Sequence, residues 1–293
     1  MKLFIIRILL VLLSAFGIYC GWRYYQEVIK PEQQLDSADT QQKILFEQIK
    51  PVIPPEIKTA GTVPSEISEI PETVPAKTVD SALQETNPLS EAEQVNPETV
   101  CWITIPGTNI DYPVAQCEDN DFYLHHGFDG SYNYELGCPF LDYRCQKSFQ
   151  GFNSIVYAHH MTKQRMFADI ALYKDIHFIE SCPLGRLTTP EGQYTVRFFA
   201  YLNVPSNAPI YQVITDTGQE EYLEYLFSHA DYIYQTSQED LNQIENLHLL
   251  LLSTCTFEFE DARGILAGII EQDEAPQYTE DSGNIPQNPD HSQ

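Results

Sequence analysis

Two short apolar runs in the C-terminal third of the chain most constrain its fold. Residues 247–254 form a continuous apolar run that leads into Cys255, and a second run spans 264–270. Runs of this length with small polar ends are typical of buried strands. Arg263 directly precedes the second run, so the pattern predicts a thiol at the end of one strand and a guanidinium at the start of its neighbour. Without further context a buried structural cysteine is the simpler interpretation, because free cysteine packs as a small hydrophobic residue.

A pair of histidines supplies that context. The run 154–158 predicts another short strand, His159 and His160 follow it, and a helix-like pattern spans 166–173. A cysteine and a histidine at strand ends, far apart in sequence, fit a Cys/His catalytic pair assembled by the fold. Arginine is always charged and favours the nucleophilic thiolate. Adjacent histidines also occur in metal sites, but no Cys-x-x-Cys or His-Glu-x-x-His motif accompanies them, and we expect neither metal nor cofactor.

Several ordered blocks of the sequence resemble the sortase family. Leu-Ser-Thr-Cys255 with Arg263 resembles the Thr-Leu-x-Thr-Cys…Arg signature, and Tyr-Ala-His159-His-Met resembles the Tyr-Gly-His-Asn-Met block. The segment 102–114, Trp-Ile-Thr-Ile-Pro-Gly-Thr-Asn-Ile-Asp-Tyr-Pro-Val, resembles the first two strands of the sortase barrel. An amphipathic helix is predicted near 219–229, within a long insert, and class B sortases carry a helix there.

The sequence departs from the family pattern at three positions. Ala158 stands where the family has Gly, His160 where it has Asn, and Leu251 where it has the first Thr of the cysteine motif. Two neighbouring histidines leave open which one is catalytic, and the block alignment favours His159. We expect Leu251 to alter strand packing only.

The resemblance implies a cysteine transpeptidase. Cys255 would be the nucleophile, His159 the proton donor and acceptor, and Arg263 the stabiliser of negative charge; Thr254, Ser253 and Asn109 are the candidate substrate-binding residues. The substrates would be secreted proteins with a C-terminal sorting signal of the Leu-Pro-x-Thr-Gly or Asn-Pro-x-Thr type. The acceptor would be an amine of the peptidoglycan precursor or of a pilin. A hydrolytic cysteine peptidase on the same fold and a non-catalytic peptide-binding surface domain remain as alternatives.

The predicted fold is mainly β, a closed mixed barrel of eight strands with peripheral helices, as in sortases. Short apolar runs support it, at 101–105, 110–114, 139–142, 154–158, 186–189, 193–204, 247–254 and 264–270. Helices are expected near 119–125, 164–174 and 218–230.

Residues 1–25 are strongly apolar, with Lys2 and Arg7 near the start and aromatic residues at the far end. A span needs about 20 residues, which this segment provides if Arg7 snorkels. A cleaved signal peptide is the competing interpretation, but small residues at a cleavage site are lacking. We therefore expect a single-pass signal anchor with the catalytic domain, residues 100–271, on the extracellular face.

Composition predicts the remaining segments. Residues 26–99 are rich in proline and poor in aromatic residues, which favours an extended linker with a short helix over 33–48. Residues 272–293 are expected to be a disordered acidic tail. The net charge of −26 argues against nucleic acid, which requires a basic face. The seven cysteines show no disulfide framework; Cys138 and Cys145 could close a small loop, but unpaired thiols are the expected state.

Overall fold

The computed structural model describes residues 2–51 and 87–272. The helices in these ranges are α1 (Lys2–Tyr24), α2 (Lys30–Ile49), α3 (Ser90–Val95), α4 (Phe122–His125), α5 (Ile176–Ser181), α6 (Gln219–His229) and α7 (Gln238–Asn242). A π-helix at Tyr25–Ile29 joins α1 to α2, and 3₁₀ helices span Thr162–Gln164, Ala168–Lys174 and Pro209–Tyr211.

The strands are β1 (Thr99–Thr104), β2 (Asp111–Ala115), β3 (Phe140–Leu141), β4 (Asn153–Tyr157), β5 (His160–Met161), β6 (Arg165–Met166), β7 (Leu184–Thr189), β8 (Gly192–Pro205), β9 (Ala230–Ile233), β10 (Leu249–Cys255) and β11 (Ala262–Gln272). Eight of them close into a barrel in the order β11, β10, β4, β3, β2, β1, β7 and β8, and β8 pairs back with β11. Two neighbouring pairs, β10 with β4 and β2 with β3, are parallel, so the barrel is mixed. The predicted fold is confirmed.

Closure of the barrel depends on the pairing of β8 with β11. The 14 residues of β8 are long enough to pair with β7, β9 and β11. The β8–β11 register shifts between Ala267 and Gly268, where a Cβ on the glycine would lie 2.6 Å from Val196 Cγ1. A glycine is therefore required at this close approach of the two strands.

The eight apolar runs lie on the eight barrel strands, and two expected helices coincide with α4 and α6. The third, at 164–174, is a 3₁₀ helix over Ala168–Lys174 only. Among the strands, β9 at the side of β8 and the short hairpin formed by β5 and β6 were not predicted. Both are too short to show an apolar periodicity.

The first part of the predicted linker is a helix packed on the barrel. Its buried residues recur at helical spacing; they are Ala38, Gln42, Phe46 and Ile49. The Phe46 ring meets three aromatic rings edge-on, each at a centroid distance of 6.0 Å, those of Trp102, Tyr112 and Phe128. Leu89, which precedes α3, and Ala92 within it are also fully buried. The expectation of a linker over 26–99 is therefore corrected for residues 30–49 and 87–99; residues 52–86 lie outside the described residues.

Helix α1 is long and apolar enough to cross a membrane. Its 23 residues would span roughly 35 Å at about 1.5 Å per residue. Large apolar side chains such as Leu10, Phe16 and Ile18 are exposed along it.

All seven cysteines are free, so Cys138 and Cys145 do not form a disulfide. The predicted acidic tail lies beyond β11, outside the described residues.

Candidate active site

The parallel pairing of β4 and β10 brings the cysteine and the histidines to one edge of the barrel. Ser253 on β10 pairs with Tyr157, the last residue of β4. Because the two strands run in the same direction, Cys255 and His159 each follow this last pair by two residues. The ladder continues one step further, as Ala158 N donates to the Ser253 carbonyl at 3.2 Å.

Arg263 lies directly opposite Cys255. The antiparallel register of β10 and β11 pairs the two residues across the strands, and cross-strand partners lie about 4.5 to 5.5 Å apart at their Cβ atoms. Both residues are partly exposed. The Arg263 guanidinium has one hydrogen bond within the described residues, from Nη1 to the Ala262 carbonyl at 3.0 Å. Most of its donors therefore remain available to a ligand.

His159 is held by a backbone carbonyl. Its Nε2 lies 2.8 Å from the Leu124 carbonyl oxygen, and because a carbonyl only accepts, Nε2 carries the hydrogen. In the neutral ring Nδ1 is then the proton acceptor. Gly137 packs against the ring: it has a φ of +71°, and a Cβ there would lie 3.1 Å from His159 Cδ2 and 2.8 Å from the Tyr123 carbonyl. Glycine is needed for both reasons.

The β5–β6 hairpin follows His159 and is clamped by α2. Arg165 of β6 is buried and forms ion pairs with Asp36 and Asp39 of α2. Phe167 N donates to the His159 carbonyl at 3.0 Å, which closes the hairpin under the histidine. Through this hairpin, α2 is connected to the backbone of His159.

His160 occupies a different environment from His159. Its ring meets the exposed Phe257 ring edge-on at 5.3 Å. Burial lowers the pKa of His160, while a hydrogen bond with the Cys255 backbone acts in the opposite direction. Its Nδ1 is buried without a hydrogen-bond partner among the described residues. His160 thus contacts the backbone of Cys255, whereas His159 lines the groove at the thiol.

A groove of about 520 Å³ contains the three candidate catalytic residues. Its lining residues are Asn120, Leu124, Phe140, Arg144, Tyr157, Ala158, His159, Ser206, Tyr211, Ser253, Thr254, Cys255 and Arg263. Within the part of the chain that the structure describes, no carboxylate lines it, although the chain as a whole has a net charge of −26. The groove therefore presents cationic and hydrogen-bonding groups to a ligand.

Two of the three predicted substrate-binding residues lie in this groove, with their hydroxyls already bonded. Ser253 Oγ lies 2.8 Å from the Tyr211 hydroxyl. Thr254 Oγ1 donates to the Ala158 carbonyl at 2.9 Å and is buried. Thr254 therefore ties the strand that carries Cys255 to the residue before His159.

Asn109 does not line the groove. Its backbone N and its Nδ2 donate to one oxygen of Asp169, at 2.7 and 2.8 Å. The side chain is thus used to fix the loop before β2 to the 3₁₀ helix that contains Asp169. In the described ranges, no group of three or more His, Cys, Asp or Glu residues is placed to hold a metal ion.

Comparison with known proteins gives the family. The chain is 31% identical over 186 residues to sortase B of Listeria monocytogenes, and the match covers 61% of this chain and 72% of the relative. The chain belongs to the class B sortase family. No family model matches it.

Solved structures of sortases agree with this assignment. Sortase B of Clostridium perfringens matches with a TM-score of 0.55 at 27% identity, over 62% of this chain and 98% of that one. A Streptococcus pyogenes class B sortase involved in pilus biogenesis has a TM-score of 0.55 at 26% identity, over 62% and 97% of the two chains. This sortase is therefore a cysteine transpeptidase on a closed barrel.

Three residues that line the groove of this sortase were not predicted as site residues from the sequence. Arg144 forms a two-point ion pair with Asp142, Tyr157 donates to the same carboxylate, and Tyr211 stacks on Tyr157 at 6.1 Å. Arg144 follows Asp142 by two residues, a spacing that could have suggested a local ion pair. Tyr211 lies in the long insert, where no motif marked it.

Proposed function

We propose that this sortase cleaves a C-terminal sorting signal of secreted proteins through a thioacyl intermediate on Cys255 and transfers the acyl chain to an amine. The observation that carries the proposal is the common groove of Cys255, His159 and Arg263 at the edge where β4 and β10 end. Nucleophile and base need to exchange a proton over a short path, and the parallel strand ends supply that proximity.

In the acylation step, His159 Nδ1 accepts the Cys255 proton and the thiolate attacks the carbonyl carbon before the scissile bond. The tetrahedral intermediate collapses as the carbon–nitrogen bond breaks, and the imidazolium gives its proton to the departing amine. Arg263, opposite Cys255, stabilises the negative charge on the thiolate and on the oxyanion. The hydrogen bond from Nε2 to Leu124 keeps the ring in the tautomer that this step requires.

In the deacylation step, an incoming amine attacks the thioester carbonyl carbon and gives a proton to His159. The new carbon–nitrogen bond forms, the carbon–sulfur bond breaks, and the imidazolium returns the proton to the Cys255 thiolate. By family resemblance, the acceptor is an amine of the peptidoglycan precursor or a pilin lysine. The relative from Streptococcus pyogenes is involved in pilus biogenesis, which supports retaining the pilin amine beside the cell-wall precursor.

The proposed location is the cell membrane, with α1 as a single-pass anchor and the barrel on the extracellular face. Lys2 and Arg7 near the start of α1 favour a cytoplasmic N-terminus. The exposed apolar surface of α1 supports an anchor. Protease treatment of intact cells would degrade the barrel; protection of the barrel, or its recovery without α1 in the medium, would contradict the anchor.

The test of the reaction uses the full chain in detergent and a quenched fluorescent peptide with an Asn-Pro-x-Thr or Leu-Pro-x-Thr signal. We expect cleavage, a thioacyl adduct in the intact mass spectrum, and loss of both in Cys255→Ala. His159→Ala should lose the adduct, whereas the matched variant His160→Ala should retain it. The reverse result would make His160 the base.

The same samples separate the alternatives. A transpeptidase forms a new amide when an amine is added, whereas a hydrolytic cysteine peptidase gives only the free acid. For a non-catalytic peptide-binding domain, peptide would bind without any thioacyl adduct, and a thiol probe would show no Cys255-dependent labelling that peptide can block.

A further inference from the structure

A second cavity lies between α2 and the loop that follows α4. Its volume is about 300 Å³, at the lower end of the range for small-ligand sites. It is lined by one side of α2, from Ala38 to Leu45, and by residues of the loop 127–134. None of its lining residues belongs to the catalytic groove. The cavity is therefore a separate site, large enough for one small group.

Gly137 separates this cavity from the catalytic histidine. Gln42 Nε2 and Asn133 Nδ2, from two residues that line the cavity, donate to the Gly137 carbonyl at 3.3 and 3.0 Å. The Cβ direction of Gly137 points at the His159 ring. A group bound in the cavity therefore lies behind the backbone that supports His159 and outside the groove that contains Cys255.

The polar groups of the cavity are suited to a hydrogen-bond donor. Gln42 is 9% exposed, and its Oε1 is buried without a hydrogen-bond partner among the described residues, which is costly for an acceptor. Asp129 accepts from Ser131 N at 3.0 Å and from Ser131 Oγ at 2.7 Å, both with Oδ1, which leaves Oδ2 for a ligand. Of the residues that the structure describes, no Lys, Arg or His lines the cavity, so its charge is negative.

Two tyrosine rings form the outer part of the cavity. The rings of Tyr132 and Tyr134 lie 5.6 Å apart at an angle of 60°, and both side chains are about half exposed. Tyr132 is held in place, because its ring meets that of His126 edge-on at 6.4 Å and its hydroxyl is hydrogen-bonded to Glu135. The negative face of such a ring attracts a cation within about 6 Å of its centre.

We propose that this cavity is a second binding site, which takes a primary alkylammonium group, the side chain of a lysine in a peptide partner. An ammonium has three donors and no acceptor, which matches the Asp129 carboxylate, Gln42 Oε1 and the tyrosine faces. Ala38 lies 14 residues beyond the end of α1, roughly 20 Å along the helix, so the headgroup of a lipid around α1 does not reach the cavity. The inference goes beyond the proposed function, since the ammonium bound here is not the attacking amine.

Ligand-observed NMR titrations of the full chain in detergent measure the affinity. The probes are lysine blocked at both backbone ends, the free diamine cadaverine and the neutral analogue of the first, blocked norleucine. We expect both amines to bind, and blocked norleucine to bind about two- to thirtyfold more weakly than blocked lysine, as for the loss of a cation beside an aromatic face. Tighter binding of cadaverine than of blocked lysine would make this a site for free amines and overturn the peptide source.

Two variants locate the binding in the cavity. Tyr134→Leu removes a ring face and should weaken the binding of blocked lysine about two- to thirtyfold. Asp129→Asn keeps an oxygen for the Ser131 bonds and removes the charge, so the loss of affinity should shrink as the salt concentration rises. Tyr143→Leu and Asp216→Asn are the matched controls, an exposed tyrosine and an exposed aspartate outside the cavity, and should bind as the wild type does.

The outcomes separate this inference from the proposed function. Melting curves report the fold of each variant. Equal binding of blocked lysine and blocked norleucine to the wild type, or unchanged affinity for blocked lysine in either folded cavity variant, overturns the inference. A wild type that cleaves no signal peptide and forms no thioacyl adduct overturns the proposed function but leaves the binding measurement intact.

Discussion

The two halves of the catalytic groove are held in different ways. Cys255 and Arg263 lie in an unbroken antiparallel ladder between β10 and β11. His159 lies near the start of a segment, residues 158–167, that pairs with itself at only two residue pairs. Three non-glycine residues of this segment have a positive φ: Lys163, Gln164 and Met166. Such conformations persist only where surrounding structure imposes them.

The difference shows which contacts each half depends on. Local strand pairing is sufficient to fix the thiol opposite the guanidinium. The histidine segment depends on groups distant in sequence: Asp36 and Asp39 on Arg165, Thr254 on the Ala158 carbonyl. Changes at Cys255 and Arg263 in the β10–β11 ladder should therefore affect the chemistry at constant stability. Changes around the histidine segment should affect stability and catalysis together.

The largest expected effect is that of Arg263→Lys. The planar fork is lost while the positive charge stays, and loss of one oxyanion donor typically lowers the rate by roughly a hundred- to a thousandfold. Peptide cleavage by the full chain measures the effect, and the melting temperature should stay unchanged. Arg197→Lys is the control, outside the groove. Near-wild-type turnover of Arg263→Lys would remove this arginine from the mechanism.

Phe46→Ala should have the next largest effect. Phe46 is 5% exposed and meets three aromatic rings of the barrel, and truncation of a buried Phe costs about 3 to 5 kcal/mol. Chemical denaturation measures the loss, and Ile44→Ala, on the exposed face of the same helix, is the control. Equal stability of the two variants would mean that α2 is not docked in solution.

The same difference between the β10–β11 ladder and the histidine segment explains which features could be predicted from the sequence. The strands, Cys255 and Arg263 follow from apolar runs and their ends, because strand pairing is a local, periodic property. The docking of α2 does not, since Asp36 and Arg165 are 129 residues apart and the apolar stripe is interrupted by Gln42. Its polar composition resembled that of a linker.

Asn109 shows the same limit on a smaller scale. The sequence analysis counts Asn109 among the substrate-binding residues, but its side chain donates to Asp169, 60 positions away in the chain. His159 was chosen over His160 by block alignment alone. The groups that distinguish the two rings come from distant parts of the chain: the Leu124 carbonyl of α4 contacts one ring, and Phe257, between β10 and β11, contacts the other.

A smaller effect is expected for Thr254→Val. The change leaves the shape of the side chain but removes the donor to the buried Ala158 carbonyl, which costs about 1 to 3 kcal/mol. We expect a lower kcat as well, because the bond fixes the residue before His159. Thr256→Val is the matched control for Thr254→Val. It removes a hydroxyl that donates to Asn203 and should lower the stability but not kcat. A similar loss of kcat in both variants would contradict a specific role of Thr254.

The smallest effect concerns the pH dependence of stability at His160. Burial lowers its pKa in the folded chain, below the unfolded value of about 6.5. The folded chain then binds fewer protons than the unfolded chain just below that pH, so the free energy of unfolding falls as the pH falls through about 6.5. Asn does not titrate, and His160→Asn should reduce this acid sensitivity. Denaturation curves between about pH 5 and about pH 7.5 measure it, with the same substitution at an exposed histidine, His229→Asn, as control. An unchanged slope in His160→Asn would mean that the ring is solvated in the folded protein and that its contact with the Cys255 backbone does not persist.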